Sequence, residues 1–351
     1  MTGTMNAVVY RDVEQLELCR LPIPECPNDG LLVKIYACGI CGGDVRNYHN
    51  GLKGGIKNQI IGHEISGEVI KTGKSARRFK KGDRVAIAPD VSCGSCWYCR
   101  KGMVNLCDNH LMLGTHFPGG FAQYISLHGD ILSRGFVEPI PDEMPWEYAA
   151  FAETVSAVLA CQKKINVSLG DSVLIIGDGP VGCLHIEAAR ARGASLVMLA
   201  GLDRLSLAEK FDPDLLLDNR YPAAVNKSVL EKTGGIGADH VILAVPSVRP
   251  QAQALELVRK GGVVVIYGGV PKNAAETLLD SNLIHYREIT VTGSFSYPSS
   301  GLADALSAIH AGKIRPDRYI GARIPLSHVV EGMEMIENGQ SLKVVIDPWM
   351  D

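Results

Sequence analysis

Four cysteines between residues 93 and 107 form the most concentrated group of metal-binding side chains in the sequence. They are Cys93, Cys96, Cys99 and Cys107. Four thiolates at these spacings can surround one zinc ion as a tetrahedron. Because such a site keeps no open coordination position, we expect its metal to be structural and to hold a loop that lacks a core of its own. The alternative interpretation is a redox or disulfide cluster, but clustered cysteines in a long chain without a secretory signal more often bind metal.

A second group of candidate ligands lies earlier in the chain. Cys41 and Asp44 belong to the run Cys41-Gly-Gly-Asp44, and His63 and Glu64 follow later. Zinc accepts thiolate, imidazole and carboxylate ligands, and a catalytic zinc uses about three protein ligands and keeps one position for water or substrate. Asp44 suits a carboxylate that fixes the tautomer of a ligand histidine. Each residue also has a simpler interpretation, as a buried cysteine, a histidine bonded to a carbonyl, or a helix cap.

The third chemical signal is a glycine-rich turn that follows the apolar run 173–176 and precedes apolar residues at helical spacing. Gly177 permits a tight turn, Gly179 lets a pyrophosphate approach the backbone, and Gly182 lets the helix pack on the strand. The helix N-terminus adds unpaired N–H groups and the positive end of a dipole. This pattern predicts a dinucleotide-binding turn. The residues assigned to it are Gly177, Gly179, Pro180, Val181 and Gly182.

Composition limits the class of protein. The chain has 351 residues and is 46% hydrophobic, which is enough for two domains of ordinary size. A net charge of −3 argues against a nucleic-acid or membrane-surface footprint. The sequence has no apolar run of the roughly 18 residues that a membrane span needs and no secretory signal pattern. We therefore expect a cytoplasmic protein that binds small molecules and other subunits, and neither nucleic acid nor membrane.

The elements that would position these groups differ between the two parts of the chain. Residues 5–91 contain short strands separated by glycine and proline turns, which predict an all-β, barrel-like module. From residue 173 onward, apolar strands alternate with helical stretches, which predicts a doubly wound parallel sheet and places the chain in the α/β class. The six predicted strands of this sheet are 173–176, 196–200, 215–217, 241–245, 263–267 and 289–292.

One acidic residue lies in an otherwise apolar helical stretch. Residues 147–164 are rich in alanine and predict a helix, in which Glu153 has apolar neighbours. A carboxylate in such surroundings is costly unless it binds a metal or a charged partner. Glu153 is therefore a further candidate ligand.

Taken together, these motifs resemble the zinc-containing medium-chain alcohol dehydrogenase family, and within it the sorbitol (L-iditol), threonine and related polyol dehydrogenases. The resemblance runs the whole length of the chain and includes Gly119-Gly-Phe-Ala-Gln-Tyr124 and the stretch 284–295. It implies a GroES-like β-barrel catalytic domain at residues 1–150, to which 293–351 return, and a Rossmann NAD(P)-binding domain at 151–292. It also implies a homo-oligomer, either a tetramer or a dimer.

The resemblance assigns two zinc ions per chain. Cys41, His63 and Glu153 would bind the catalytic zinc, with Glu64 beside it as an occasional or substituting ligand, and the four cysteines of the loop 93–107 would bind the structural zinc. It also assigns a nucleotide site beyond the glycine turn. The additional cofactor-binding residues are Gly201, Asp203, Arg204, Val245, Gly268 and Ser294.

The first departure from the family pattern affects proton transfer. The family usually has Ser or Thr and then His where this chain has Gly43 and Arg46. The hydroxyl relay is missing, so the alcohol proton must leave by another route, such as a water chain or Glu64. We hypothesise that Arg46, with Lys53 and Lys57, contacts an anionic substituent of the substrate, because guanidinium suits carboxylate and phosphate. The alternative is three solvated loop cations.

The second departure affects the cofactor. NAD-dependent relatives carry Asp or Glu at the end of the second strand, where this chain has Gly201 followed by Leu202, Asp203 and Arg204. Without a carboxylate at Gly201 a 2′-phosphate is not repelled, and Arg204 could pair with it. NADP is therefore favoured over NAD, although Asp203 could serve NAD.

The resemblance and these residues together predict a zinc-dependent oxidoreductase. It would transfer hydride between NAD(P) and a secondary alcohol or ketone of a polyol, a sugar alcohol with or without phosphate, or a cyclitol. The alternatives within the same class are a threonine-like amino-alcohol dehydrogenase and a simple secondary-alcohol dehydrogenase. Outside the class, the alternative is a non-catalytic relative that binds zinc and nucleotide, but such a protein would not need the open ligand set of Cys41, His63 and Glu153.

Overall fold

The computed structural model describes residues 3–350, with Lys272 described by its backbone only. The chain forms two compact units. One runs to Ser156 and resumes at Tyr297, and the other is Ala157–Ser296. The domain boundaries predicted at 150 and 292 lie a few residues before these positions, and residues 1, 2 and 351 of the predicted catalytic domain are outside the described part.

The first unit begins as a β-structure. Most residues of its strand β3 are buried. Leu31, Val33 and Ile35, which lie on the same face of the strand, are fully buried and belong to the core of the unit. The elements are β1 (Thr4–Asp12), β2 (Gln15–Pro22), β3 (Leu31–Gly39), α1 (Gly42–Asn50), β4 (Gln59–Ile60), β5 (Glu64–Thr72), β6 (Arg84–Ala88), β7 (Asp90–Val91), α2 (Trp97–Arg100), β8 (Leu111–Met112), β9 (Tyr124–Leu127), α3 (Gly129–Arg134), β10 (Phe136–Pro139) and α4 (Trp146–Lys164).

The second unit is an α/β sheet. Its strands are all parallel and are ordered β13-β12-β11-β14-β15-β16. The inner strands are buried along most of their length, as expected for a parallel sheet covered on both faces. The elements are β11 (Ser172–Ile176), α5 (Pro180–Ala191), β12 (Leu196–Gly201), α6 (Leu205–Ala208), β13 (Leu215–Asp218), α7 (Pro222–Lys232), β14 (Ala238–Leu243), α8 (Arg249–Leu257), β15 (Val258–Ile266), α9 (Ser281–Tyr286) and β16 (Thr290–Gly293).

The C-terminal segment completes the first unit. The elements are α10 (Gly301–His310), β17 (Ile320–Ile324), α11 (Val329–Glu337) and β18 (Lys343–Ile346). Strand β18 pairs antiparallel with β3 and parallel with β17, in the sheet ordered β10-β6-β5-β3-β18-β17. This pairing brings the start of β18 beside residues that are nearly three hundred positions earlier in the chain.

The predicted α/β fold, with a β-rich first unit and a parallel sheet in the second, is confirmed. All six predicted strands of the parallel sheet are present within the described residues 157–296. One strand end differs clearly from the prediction: β14 ends at Leu243, so that Val245 follows the strand. No helix among residues 3–350 has both the length and the apolar character needed to cross a bilayer.

Candidate functional site

The four cysteines of the loop 93–107 come together in the first unit. Three of the four sulfur atoms accept a hydrogen bond from a backbone N–H of the same loop: Cys96 N–H donates to Cys93 Sγ at 3.3 Å, Cys99 N–H to Cys96 Sγ at 3.5 Å, and Cys93 N–H to Cys107 Sγ at 3.2 Å. The loop therefore gathers four sulfur atoms into one group that could hold a metal ion.

The sulfur separations fit a metal and not a disulfide. Cys93 Sγ lies 3.9 Å from Cys99 Sγ, and Cys96 Sγ lies 4.0 Å from Cys107 Sγ. A tetrahedral zinc with bonds of about 2.3 Å places its sulfur ligands about 3.8 Å apart, whereas a disulfide needs about 2.0 Å. All ten cysteines are free thiols. Backbone hydrogen bonds from Ser95 and Cys96 lower the pKa of Cys93 to about 5.

The second group joins Cys41, His63 and Glu64, whose ligand atoms all lie within 4.8 Å of one another. Asp44 supports two of these residues. Its carboxylate accepts a hydrogen bond from Cys41 N–H at 2.9 Å, which caps helix α1, and lies 3.1 Å from His63 Nδ1. Asp44 therefore caps α1 and also contacts the His63 ring, while the role of His63 as a zinc ligand stays a prediction. With Nδ1 donating to Asp44, His63 presents Nε2 as its ligand atom.

Glu64 is fully buried and ion-paired. Lys343 Nζ lies 2.6 and 2.8 Å from its two carboxylate oxygens, and Thr154 Oγ1 donates to it at 2.8 Å. Gly39 on the neighbouring strand makes room for it, because a Cβ there would lie 2.0 Å from Glu64 Oε2. Burial alone would lower the pKa of Lys343, but Glu64 and then Cys41 raise it, so the ammonium stays charged.

Glu153 has a different partner. Tyr297 Oη donates to its Oε1 at 3.1 Å, and the Tyr297 ring packs edge-on against Phe136. Desolvation raises the pKa of Glu153 to about 7, against the opposing charge of His63. Among the described residues, the set of ligand atoms within 4.8 Å contains Glu64 and not Glu153. The assignment of Glu153 as a zinc ligand stays a prediction.

The positions that depart from the family pattern are open or exposed. A Cβ at Gly43 would lie 3.6 Å from His63 Cε1 and 3.7 Å from Cys41 Sγ, so this position borders the ligand cluster and has room for a side chain. Arg46 and Lys53 are exposed. Lys57 forms an ion pair with Asp12 and is therefore engaged elsewhere.

The glycine turn in the second unit has the geometry of a phosphate cradle. Gly177 has φ of 129°, which favours glycine, and a Cβ at Gly182 would lie 1.8 Å from Gly177 O. Neither a positive φ nor a steric contact explains Gly179. Its φ is −76°, and a Cβ there would meet open space. This leaves the approach of a ligand to the N-terminus of α5, at Pro180 and Val181, as the reason for a glycine.

The other predicted cofactor residues lie at the carboxyl ends of the strands, where ligands of such sheets bind. Gly201 ends β12, and Asp203 and Arg204 follow it. Gly268 follows β15 and packs so closely on Val245 that a Cβ would lie 2.4 Å from its carbonyl oxygen. Ser294 follows β16, where its N–H donates to Ile266 O. The roles of these residues stay predictions.

Sequence reasoning missed Lys343, Thr154 and Tyr297. One signal was available: Lys343 begins an apolar run in the closing strand, where a charge needs a partner. The other contacts depend on sheet register and on the path of loops, which no local pattern reveals.

Comparisons with known proteins agree with this geometry. Residues 27–142 match the alcohol dehydrogenase GroES-like domain, and residues 180–311 match the zinc-binding dehydrogenase family. Sorbitol dehydrogenase of Bacillus subtilis (strain 168) is 31% identical over 98% of this chain and 97% of its own length. D-arabitol-phosphate dehydrogenase of Enterococcus avium is 30% identical over 99% and 98%. A structure of a zinc-binding dehydrogenase of Sinorhizobium meliloti 1021 bound to NADP is 30% identical, with a TM-score of 0.88 over 99% of this chain and 100% of that chain.

Proposed function

Because the chain belongs to the zinc-containing medium-chain alcohol dehydrogenase family, we propose that it oxidises a secondary alcohol of a polyol, sugar alcohol or cyclitol with NAD(P), or reduces the corresponding ketone. The observation that carries this proposal is the mixed ligand cluster at Cys41, His63 and Glu64. A thiolate, an imidazole and a carboxylate suit a catalytic metal, whereas the closed four-cysteine loop already supplies a structural one. The names of the relatives from Bacillus subtilis and Enterococcus avium support a polyol substrate.

When bound, zinc would supply a Lewis acid for the substrate oxygen, and the nicotinamide cofactor would exchange the hydride. The residues of the chain orient these groups. Asp44 holds His63 in the tautomer that leaves Nε2 as the ligand atom. Lys343 and Thr154 donate hydrogen bonds to Glu64, so both of its carboxylate oxygens are engaged with these two residues.

We propose that the alcohol proton leaves by water beside Gly43, where the chain has no hydroxyl and a side chain would border the ligand cluster. The exchange Gly43→Ser fits the space there and introduces a hydroxyl within reach of the cluster. We expect it to shift the pH profile of turnover while the zinc content stays unchanged. An unchanged profile would argue against proton transfer at this position.

The substrate class is tested by a panel of reactions on zinc-replete protein. The panel contains polyols, polyol phosphates, cyclitols, threonine and simple secondary alcohols, each with NAD and with NADP. We expect activity on polyols or their phosphates and little on threonine. Turnover of threonine alone would support an amino-alcohol dehydrogenase, and silence across the panel with both zinc ions present would refute the polyol assignment.

Two zinc ions per chain belong to the same proposal. We expect elemental analysis to find two in the purified protein and one in each of the variants Cys41→Ser and Cys107→Ser. Cys107→Ser should also make the loop 93–107 sensitive to proteases, because the loop folds around its ion. Cys41→Ser should leave the loop resistant and abolish turnover. One zinc in the unchanged protein would favour a non-catalytic relative.

For the cofactor we propose NADP over NAD. Position 201 lacks the acid that holds ribose hydroxyls in NAD-dependent proteins, Arg204 lies three residues beyond it, and the relative from Sinorhizobium meliloti binds NADP. The ratio of kcat/KM for the two cofactors tests this proposal. Comparable values would refute it.

A second candidate substrate is a phosphorylated polyol. Arg46 lies on α1, two residues after Asp44, and among the described residues its guanidinium has no ion-pair partner. The Enterococcus avium relative is named for a polyol phosphate. Arg46→Ala should raise KM for the phosphorylated substrate far more than for the plain polyol, and Lys57→Ala, which removes a cation already paired with Asp12, should not. An unchanged KM ratio in Arg46→Ala would exclude this candidate.

We also propose a homo-oligomer, a tetramer or a dimer. Two large side chains of the second unit, Leu278 at 93% and Tyr286 at 76%, are exposed in the segment that precedes the edge strand β16 in the chain. Light scattering of the purified protein tests the state, and a monomer at micromolar concentration would refute it. The cytoplasmic location expected from the sequence stays a prediction.

A further inference from the structure

Asp178, between the first two glycines of the dinucleotide turn, has a role that its sequence position does not indicate. Its side chain is only 8% exposed and reaches the end of the neighbouring strand β12. There its Oδ2 accepts hydrogen bonds from Leu202 N–H at 2.8 Å and Arg204 N–H at 2.7 Å. The carboxylate thus lies in the segment that follows the second strand of the nucleotide-binding sheet.

Asp178 and Gly201 are complementary. A Cβ at Gly201 would lie 2.4 Å from Asp178 Cβ and 2.6 Å from its Oδ2, so an acid at position 201 and the present position of Asp178 exclude each other. The sequence argument for NADP rested on the missing acid at 201. The structure places another carboxylate directly above that position, supplied by the turn after β11.

This position matters for the 2′-substituent of the adenosine ribose. In nucleotide-binding sheets of this type, the residues just after the second strand receive either ribose hydroxyls or a 2′-phosphate. Adjacent backbone N–H groups form a site for an anion, and here Asp178 already occupies the N–H groups of Leu202 and Arg204. A 2′-phosphate would meet a fixed negative charge and would find these two donors engaged.

We propose that Asp178 is a specificity-determining residue that opposes the 2′-phosphate and so limits the preference for NADP that Gly201 and Arg204 create. The inference rests on the proposed dinucleotide binding, but not on which cofactor is preferred. If Asp178 served only to cap the segment 202–204, its removal would weaken the binding of NAD and of NADP to the same extent. If its charge acts as proposed, removal changes their ratio.

The test is calorimetric binding of 2′,5′-ADP and 5′-ADP, which lack the nicotinamide, to the zinc-replete protein. Asp178→Asn keeps the shape and an acceptor oxygen and removes the charge. We expect the affinity ratio of 2′,5′-ADP to 5′-ADP to rise about tenfold, as the loss of a close like charge implies. Glu209→Gln, an exposed acid on the following turn, removes the same charge and should leave the ratio unchanged.

Asp178→Ala, which also frees both N–H groups, provides a second measurement if the asparagine variant fails to fold. The proposal is overturned if the affinity ratio of 2′,5′-ADP to 5′-ADP stays constant, or falls, in a folded variant. Wild-type protein that favours 5′-ADP would refute the NADP preference, yet a shift in Asp178→Asn would still support the role of Asp178. Failure of the wild type to bind either nucleotide would refute both.

Discussion

The two units build their candidate sites by different means. The first unit uses charged side chains: Glu64 and Lys343 are buried together, and Asp44 bonds to His63. The second unit uses backbone, in the form of glycines and the N-terminus of α5. The difference shows in the cost of a substitution, because a buried charge without its partner is far more unfavourable than a missing neutral contact.

Two buried polar side chains of the second unit are neutral, in contrast to the buried ion pair of the first unit. His185 and Gln162 are both fully buried, and Gln162 Nε2 donates to His185 O at 2.8 Å and lies 3.2 Å from its Nδ1. Nδ1 is then an acceptor, so the ring carries its proton on Nε2 and is neutral. Burial lowers the pKa of His185 to about 3. The parallel-sheet unit therefore keeps this buried ring uncharged, whereas the first unit holds the buried ion pair of Glu64 and Lys343.

The largest expected effect comes from breaking that ion pair. Lys343→Met leaves Glu64 buried without its cation, which should lower the free energy of unfolding of the first unit by about 3–5 kcal/mol. Urea unfolding followed by tryptophan fluorescence measures this selectively, because Trp97, Trp146 and Trp349 all lie in the first unit.

Lys57→Met provides the matched control, since it removes an exposed lysine from its pair with Asp12 and should cost less than about 1 kcal/mol. The double variant Glu64→Gln with Lys343→Met should recover part of the loss, because no charge stays buried. Equal effects of the two lysine substitutions would show that burial of the pair Glu64–Lys343 does not raise the cost of removing its cation.

A smaller effect is expected from the neutral histidine. Between pH 6.5 and 3 the unfolded chain binds a proton at His185 that the folded chain does not, so stability falls as the pH falls through 6.5 and is fully present above it. At pH 5 this amounts to about 2 kcal/mol. His185→Phe keeps a ring against Tyr267 and removes the titration.

Hydrogen exchange of β11 and β14, compared at pH 7 and pH 5 after correction for the intrinsic rate, follows the second unit by itself. We expect the wild type to lose more protection than His185→Phe. Equal losses would show that His185 is charged in the folded protein or already neutral in the unfolded one.

The contrast between the units also explains what the sequence could predict. The four-cysteine loop and the glycine turn each lie within one short stretch of sequence. The residue types and their spacing within that stretch determine each motif, so both could be located from the sequence alone. The six parallel strands were found because each is a short apolar run between helical stretches. Their ends were less certain, as with Val245, because hydrogen bonding to a neighbour decides where a strand stops.

The supporting contacts could not be predicted, because they join distant parts of the chain. Lys343 and Glu64 are 279 residues apart and meet through the pairing of β3 with both β5 and β18. Asp178 reaches Leu202 and Arg204 across the strand order of the parallel sheet. Sequence spacing identifies candidate ligands, whereas the register of the sheets determines which groups hold them in place.

The smallest expected effect concerns one such distant contact, from Tyr297 to Glu153. Tyr297→Phe keeps the edge-on packing with Phe136 and removes a single hydrogen bond, which is worth about 1 kcal/mol. If Glu153 is a zinc ligand, this loss should weaken the affinity of the Cys41 and His63 site for zinc about fivefold, because a ligand carboxylate depends on its hydrogen-bond partners. Competition with a chelator measures the affinity, and Tyr286→Phe, an exposed tyrosine of the second unit, is the control. Unchanged zinc affinity together with a normal unfolding midpoint would show that Glu153 does not bind the metal through this arrangement.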